Sequence, residues 1–164
     1  MRPAPDFERK IVAPDTLRNR LGAIARPLVF TNGVFDILHR GHVTYLARAR
    51  TLGATLIVAL NSDASAARLG KGPERPVNML DDRLAVVAAL ASVSYATWFE
   101  TDTPLDLIVM LRPDRLVKGG DWHPDSIVGA REVSGWGGTV HAIPFEHARS
   151  TTALISKVRG SSAS

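Results

Sequence analysis

The chain has 164 residues, of which 45% are hydrophobic, with a formal net charge of +4 and no cysteine. This size and composition predict one compact domain and exclude disulfides, thiolate zinc sites and a cysteine nucleophile. No apolar run is long enough to span a membrane and no apolar leader follows the opening MRPAPDFERK, so we expect a cytoplasmic protein without membrane contacts; the basic excess favours an anionic ligand.

Short apolar runs rich in β-branched residues alternate along the chain with stretches of helical periodicity. Asn78 is predicted to cap the second helix. Thr103 is predicted to cap the third, with Pro104 at its first helical position. The predicted strands are 27–33, 54–61, 94–100, 114–120 and 139–145, and the predicted helices are 43–52, 78–91, 104–111 and 150–159.

This alternation determines the fold class that we expect. Five strands that are apolar almost throughout suit a parallel sheet with both faces covered, and right-handed crossovers then give a doubly wound α/β fold of the Rossmann-like kind. We expect residues 27–159 to form this domain, with an N-terminal extension at 1–26 and a disordered tail at 160–164. In such folds ligands bind at the carboxyl ends of the strands, where the polar residues of this sequence cluster.

The segment TNGVFDILHRGH places two histidines three residues apart where the first strand leads into a helix. We expect the backbone N–H groups of residues 41–44 to be unpaired, and Gly41 to let a phosphate approach the main chain. His39 and His42 would then donate hydrogen bonds to oxygens that gain charge as a phosphorus is attacked. Two alternatives stay open: a pair of core histidines, and a zinc site that Asp36 would complete.

A second candidate phosphate site lies at the start of the last predicted helix, in the segment RSTT. Ser150 is placed as its cap, and Thr151 and Thr152 add hydroxyl groups to the first turn. Arg149 can pair with phosphate as a fork or lie on the surface. An ordinary helix cap would have the same sequence, so this alternative also stays open.

The segment VKGGDW begins in the fourth predicted strand and continues past its end, which brings Lys118, Gly120, Asp121 and Trp122 to the same edge of the sheet. Its two glycines let the backbone approach a ligand closely. The indole of Trp122 is suited either to stacking on a base or sugar or to ordinary packing.

Four further polar residues are candidates for the second substrate. Asp36 can accept hydrogen bonds from sugar hydroxyls or form a turn, and Asn61 and Asp63 are open to the same two interpretations. Arg83 lies away from the apolar stripe of its helix, where it would reach a phosphate or be solvated.

The segment FTNGVFDILHRGHVTYL resembles the HxGH signature of the nucleotidyltransferase superfamily, in its cytidylyltransferase-like branch. The segments VALNSD, RPVNMLDDRLAVVAAL, FETDTPLDLI, PDRLVKGGDW and RSTTALISKVR also resemble the adenylyltransferase of the ADP-heptose synthase family, in the family's order. The resemblance implies transfer of AMP from ATP to D-glycero-β-D-manno-heptose 1-phosphate, which gives ADP-heptose and pyrophosphate for the lipopolysaccharide core. It implies the stand-alone form, with a separate heptose kinase supplying the substrate.

The same resemblance implies roles for individual residues. His39 and His42 would hold the α-phosphate and bridging oxygen, and Lys71 would neutralise phosphate, with Arg68 and Arg75 as substitutes in its loop. Ala148 stands where the family commonly has glycine. The implied nucleotide-binding residues are Thr31, Asn32, Gly33, Phe35, Gly41, Lys118, Gly120, Asp121, Arg149, Ser150, Thr151 and Thr152, and those for the sugar phosphate are Asp36, Asn61, Asp63, Arg83 and Trp122.

The resemblance further implies Mg²⁺ carried with ATP, for which no protein ligand is named, and a homo-oligomer. A glycerol-3-phosphate cytidylyltransferase or another enzyme of the same branch is the main alternative, and a nucleotide-binding domain without turnover is a remote one. A nucleic-acid-binding module is disfavoured because the arginines are not gathered on one helix, and no aromatic-basic motif is present.

Overall fold

A computed structural model describes residues 3–146 and 151–160. Five strands form one parallel sheet in the order β3-β2-β1-β4-β5, so the strand order reverses between β1 and β4. This confirms the expected fold class. The strands are β1 (Leu28–Gly33), β2 (Thr55–Asn61), β3 (Tyr95–Phe99), β4 (Arg115–Gly119) and β5 (Thr139–Ile143).

Helices cover both faces of the sheet. Because β-branched and leucine side chains point to alternate faces along each strand, two separate apolar cores form. One contains Phe30, Ile57 and Ile108, and the other contains Leu46 and Val58. The α-helices are α1 (Pro14–Arg20), α2 (Arg40–Arg50), α3 (Asp63–Arg68), α4 (Leu80–Ala88), α5 (Leu105–Leu111), α6 (Ala130–Gly135) and α7 (Thr151–Gly160). Within the described ranges, every helix is too short or too polar to cross a bilayer.

The predicted cap residues of two helices were wrong, and α2 begins at Arg40, three residues before its predicted start. Helix α4 is capped by Met79 without a side-chain bond, because the amide of Asn78 donates instead to the backbone oxygen of Asp36 at 2.6 Å. Helix α5 begins one residue later than predicted, with Pro104 rather than Thr103 at the cap position. Its predicted end before Pro113 is confirmed by Arg112, which adopts the left-handed conformation at the C-cap.

The segment before β1 protects the open edge of the sheet. Ile11 forms a parallel bridge with Ala96 of β3, and the N–H of Val12 donates to the Ala96 carbonyl at 2.9 Å. Val12, Leu17 and Ile24 are then buried in the core. These bonds satisfy backbone groups that an exposed edge strand would present to another chain.

The strand register brings the carboxyl ends of the strands together. Gly33 of β1 pairs with Leu60 of β2, whose next residue, Asn61, pairs with Phe99 of β3. The loops that follow β1, β2 and β4 therefore meet beside the point where the strand order reverses, which is where ligands bind in this architecture.

Candidate functional site

A cleft with two lobes lies above the ends of β1 and β4. Each lobe has a volume of about 350 Å³. The first lobe contains the histidines and α7, and the second extends toward β2, α5 and residues 126–128. Since six residues line both lobes, the two form one continuous cleft. The shared residues are Asn32, Gly33, Val34, Lys71, Lys118 and Trp122.

His39 and His42 form a stacked pair in the first lobe. Their ring centroids are 3.8 Å apart with an interplanar angle of 24°. A Cβ at position 41 would lie 2.9 Å from Cε1 of His39, so the glycine between them is needed for this ring position. The Nδ1 atoms of both rings are buried and have no hydrogen-bond partner among the described residues. An unpaired buried nitrogen is costly, and a ligand oxygen would relieve that cost.

Both imidazoles are neutral near pH 7. Burial lowers the pKa of His39, and burial together with the nearby His39 lowers the pKa of His42 to about 4. A neutral imidazole still donates one ring N–H, so both histidines are suited to bind oxygen anions. The zinc alternative has no support here, since the described residues contain no group of three metal-ligating side chains.

The start of α2 differs from the prediction that four backbone N–H groups are unpaired. The N–H groups of His42 and Val43 both donate to the carbonyl of His39, at 3.0 and 3.3 Å. The prediction was therefore wrong for these two residues, because the N-cap carbonyl already serves them. An anion at this helix end would therefore meet the imidazole side chains more than free backbone groups.

Helix α7 brings Thr151 and Thr152 into the same lobe as the histidines. The Thr151 hydroxyl donates to the carbonyl of Ile37 at 3.1 Å and so ties the start of α7 to the loop before α2. The predicted residues Arg149 and Ser150 lie outside the described residues. The ends of α2 and α7 that bear these polar groups thus face one cavity.

An aromatic wall fixes the histidine pair. Phe35 has a φ of 49°, a left-handed conformation that is strained for a bulky residue and that sets its ring 5.3 Å from His42. Phe145 lies edge-on to His42 and Tyr45, with each centroid distance 5.9 Å. Burial raises the pKa of Tyr45, whose hydroxyl bonds to Thr31. These ring contacts hold the two imidazoles in place at the edge of the first lobe.

Asp36 lines the cleft, but its carboxylate is already engaged by the chain. It accepts from Nε of Arg75 at 2.7 Å and from the N–H groups of Val77 and Asn78. Burial raises the pKa of Asp36, yet these backbone and arginine bonds outweigh that effect and leave it lowered. Asp36 therefore holds the loop that carries Lys71, and its predicted contact with sugar hydroxyls stays a prediction.

Arg83 lies under the cleft rather than in it. It is 1% exposed and lines neither lobe, so the solvated interpretation is wrong, while its predicted contact with the sugar phosphate stays a prediction. Its guanidinium donates to the carbonyls of Val34, Asn61 and Asn78 and pairs with Asp63 at 2.7 Å. It thus connects the ends of β1 and β2 with the start of α4. Helical periodicity missed this burial because the partners of Arg83 are loop carbonyls rather than apolar side chains.

Lys118 stands at the boundary of the two lobes. Its ammonium donates to the backbone oxygen of Asn32 at 3.1 Å and to Oδ1 of the same residue at 3.3 Å. The ring of Trp122 lies 5.9 Å from Nζ. Burial and the nearby Lys71 lower the pKa of Lys118 to about 8.

The structure brings most of the predicted site residues into one cleft. Those lining it are His39, His42, Lys71, Asn32, Gly33, Phe35, Asp36, Asn61, Lys118, Trp122, Thr151 and Thr152. The predicted residues that do not line it are Thr31, Gly41, Asp63, Arg83, Gly120 and Asp121. In the first lobe, sequence reasoning missed Val34, Tyr45, Gly119 and Phe145, of which the two aromatic residues carried no signal that separates them from core residues. In the second lobe it missed Leu69, Asp102, Thr103, Pro104, Ser126, Ile127 and Val128.

Comparison with known proteins gives consistent results. Residues 30–157 match the family model described as cytidylyltransferase-like. The chain is 56% identical over 155 residues to the D-beta-D-heptose 1-phosphate adenylyltransferase of Bordetella bronchiseptica, covering 93% of this chain and 96% of that one. It is 51% identical over 158 residues to the bifunctional protein HldE of Hahella chejuensis, covering 96% of this chain but only 32% of that relative.

Two solved structures extend the comparison. The lipopolysaccharide core biosynthesis protein from Thermoplasma volcanium has a TM-score of 0.59 at 28% identity, covering 74% of this chain and 98% of that one. The pantoate-beta-alanine ligase from Francisella tularensis has a TM-score of 0.58 at 12% identity, covering 87% of this chain and 68% of that one. The second likeness establishes the fold alone.

Proposed function

Because the chain belongs to the cytidylyltransferase-like family, we propose that it transfers AMP from ATP to D-glycero-β-D-manno-heptose 1-phosphate, giving ADP-heptose and pyrophosphate. The reaction class rests on one observation, the meeting of the stacked histidines and the start of α7 in a single cavity. The choice of substrates rests on the heptose 1-phosphate adenylyltransferase that is 56% identical to this chain over almost the whole length of both. The product is a precursor of the lipopolysaccharide core.

In this proposal the triphosphate of ATP lies in the first lobe. The β- and γ-phosphates lie at the start of α7, where Thr151 and Thr152 face the cavity. The α-phosphate lies beside His39 and His42, whose ring nitrogens donate to its oxygens as the negative charge on them grows.

The chemistry is a single in-line displacement. An oxygen of the sugar phosphate attacks the α-phosphorus, a new P–O bond forms, and the bond to the bridging oxygen breaks as pyrophosphate leaves with the electron pair. No covalent enzyme intermediate is required, so the protein contributes alignment and charge stabilisation. His42 is the stronger candidate for the transition-state donor because its ring, besides the contacts with Phe145 that both histidines make, is also held by Phe35.

Mg²⁺ is proposed to arrive with ATP and to lower the charge on its phosphate oxygens. Among the described residues no cluster of carboxylates is available to hold it, and Asp36 is occupied by Arg75 and backbone N–H groups. Mg²⁺ keeps several water ligands when phosphates bind it, which fits a site with few protein ligands.

The experiment is a pyrophosphate-release assay with two substrate pairs. ATP with heptose 1-phosphate should give rapid release and a product with the mass of ADP-heptose, while CTP with glycerol 3-phosphate should give little. The reverse preference would move the assignment to a glycerol-3-phosphate cytidylyltransferase. ATP binding without release in either arm would instead indicate a nucleotide-binding domain.

Two expectations about partners also stay proposals. A separate kinase is proposed to supply the heptose 1-phosphate, and the protein is proposed to form a homo-oligomer. Light scattering during size-exclusion chromatography tests the second proposal, and a mass of 17.7 kDa would exclude it.

A further inference from the structure

The positive charges around the cleft fall into two kinds. Arg75 is paired with Asp36 and Arg83 with Asp63, each at 2.7 Å. For Lys118, no carboxylate among the described residues lies within ion-pair distance, and its bonds go only to two neutral oxygens of Asn32. An ammonium that is largely withdrawn from water without a counter-charge is unfavourable. Its position therefore suits a ligand that brings the negative charge.

The direction of attack indicates which negatively charged ligand binds Lys118. In an in-line displacement the attacking and leaving oxygens lie on opposite sides of the phosphorus. If pyrophosphate leaves from the start of α7, the acceptor must approach from the side away from Thr151 and Thr152. Those threonines line only the first lobe, whereas Lys118 lines both. Lys118 thus lies where the lobe that contains the histidines and threonines opens into the second lobe, from which an acceptor can approach.

We propose that Lys118 binds the phosphate of the acceptor sugar at the junction of the two lobes and orients its attacking oxygen toward the α-phosphorus. This inference rests on the proposed function and refines the broader expectation that Lys118 contacts the nucleotide. Lys71 lines the same junction and supplies a second positive charge to the same anion. The second lobe then holds the sugar, with Asn61, Asp102 and Thr103 among its polar lining residues.

The physical reason for such a residue is charge repulsion. A phosphate monoester dianion must approach a triphosphate, and each negative charge raises the energy of the encounter. An ammonium between them offsets that repulsion without giving or taking a proton. The bonds to Asn32 fix the ammonium, so little reorganisation is needed when the acceptor arrives.

The test compares Lys118→Met with wild type in steady-state kinetics, varying each substrate at saturating levels of the other. The expected result is a rise in KM for the sugar phosphate of roughly 10- to 100-fold, the usual loss for one hydrogen bond to a charged group, with the KM for ATP little changed. Lys10→Met is the matched control, since Lys10 lies outside both lobes and donates to the carbonyl of Leu90.

A pH profile adds a readout that a merely structural lysine would not produce. In wild type, kcat/KM for the sugar phosphate should fall at a pH of about 8 or above, as the ammonium loses its proton. In Lys118→Arg, that fall should be absent up to pH 10, because guanidinium stays charged. This variant also keeps the test valid if Lys118→Met does not fold.

The outcomes are separable. A raised KM for ATP with an unchanged KM for the sugar phosphate would overturn the inference and place Lys118 on the triphosphate. Unchanged constants for both substrates in Lys118→Met, or the same alkaline fall in Lys118→Arg as in wild type, would also overturn it. A wild-type protein that makes no ADP-sugar from ATP and heptose 1-phosphate would instead refute the proposed function, and this inference with it.

Discussion

Arg83 lies beneath the cleft and Lys118 lines it, and the two positively charged residues differ in whether the described chain supplies the counter-charge. Arg83 is bonded to Asp63 and to three carbonyls, which satisfies its guanidinium and joins two strands to α4. The histidine pair keeps buried ring nitrogens that have no partner among the described residues, and Lys118 has hydrogen bonds but no carboxylate among those residues within ion-pair distance. The difference separates the polar groups that hold the loops in place from those that await a ligand.

The largest expected effect is a loss of stability when Arg83, which is paired with Asp63, is replaced. Arg83→Met should lower the free energy of unfolding by about 3 to 5 kcal/mol, because it leaves Asp63 and buried carbonyls without their partner. Urea denaturation measures this effect. The exposed Arg20→Met is the control, expected to change stability by less than about 0.5 kcal/mol. A similar small change in Arg83→Met would contradict a structural role for Arg83.

The next largest effect should fall on catalysis and spare the fold. His42→Ala should lower kcat by about a hundredfold or more, corresponding to roughly 2.7 to 4 kcal/mol of lost transition-state stabilisation. Circular dichroism should show a folded protein. His141→Ala is the control, since His141 lies on β5 outside both lobes. A kcat near that of wild type in His42→Ala would show that His42 does not stabilise the transition state.

The histidine pair should also make stability depend on pH. The pKa of His42 is about 4 in the folded protein against 6.5 for an ordinary histidine, so the unfolded chain binds more protons between these values. Stability is therefore full above pH 6.5 and falls as the pH drops toward 4, by at most about 3 kcal/mol from this group.

Denaturation of wild type and His42→Gln at pH 7 and pH 4.5 isolates this contribution from that of the carboxylates. The variant should lose less stability than wild type between the two values. Equal losses in the two proteins would show that His42 is not buried in the neutral form.

The smallest effect should come from the start of α7. Thr152→Ala should raise the KM for ATP roughly 2- to 10-fold, as expected for one neutral hydrogen bond, with kcat nearly unchanged. Ser156→Ala on the exposed side of the same helix is the control. If the KM for ATP in Thr152→Ala equals that of wild type and of the control, Thr152 contributes to the structure of α7 and not to ATP binding.

The sequence predicted the sheet well because its signal is local. All seven residues of β2 are buried, and a continuous apolar run of that length is typical of a central parallel strand. The short helices α3 and α6 were missed because six residues give too little periodicity. The start of α4 was misplaced because Asp36, distant in sequence, binds the backbone before it and draws in the Asn78 side chain.

The site was predictable to the extent that its residues follow strand ends. The histidines, Lys118 and the threonines of α7 all lie at such positions, and the fold brings them together. The burial of Arg83 was missed because its partners are carbonyls at the ends of β1 and β2, a packing that a helical pattern does not encode. Tyr45 and Phe145 reach the cleft only through tertiary packing.

A crystal structure with a non-hydrolysable ATP analogue tests the central claim most directly. We expect its α-phosphate within hydrogen-bond distance of a His42 ring nitrogen and its γ-phosphate at Thr151 and Thr152, with Arg83 and Asp63 still paired. A triphosphate lying wholly in the second lobe, or bound by Arg83 after that pair breaks, would contradict the account.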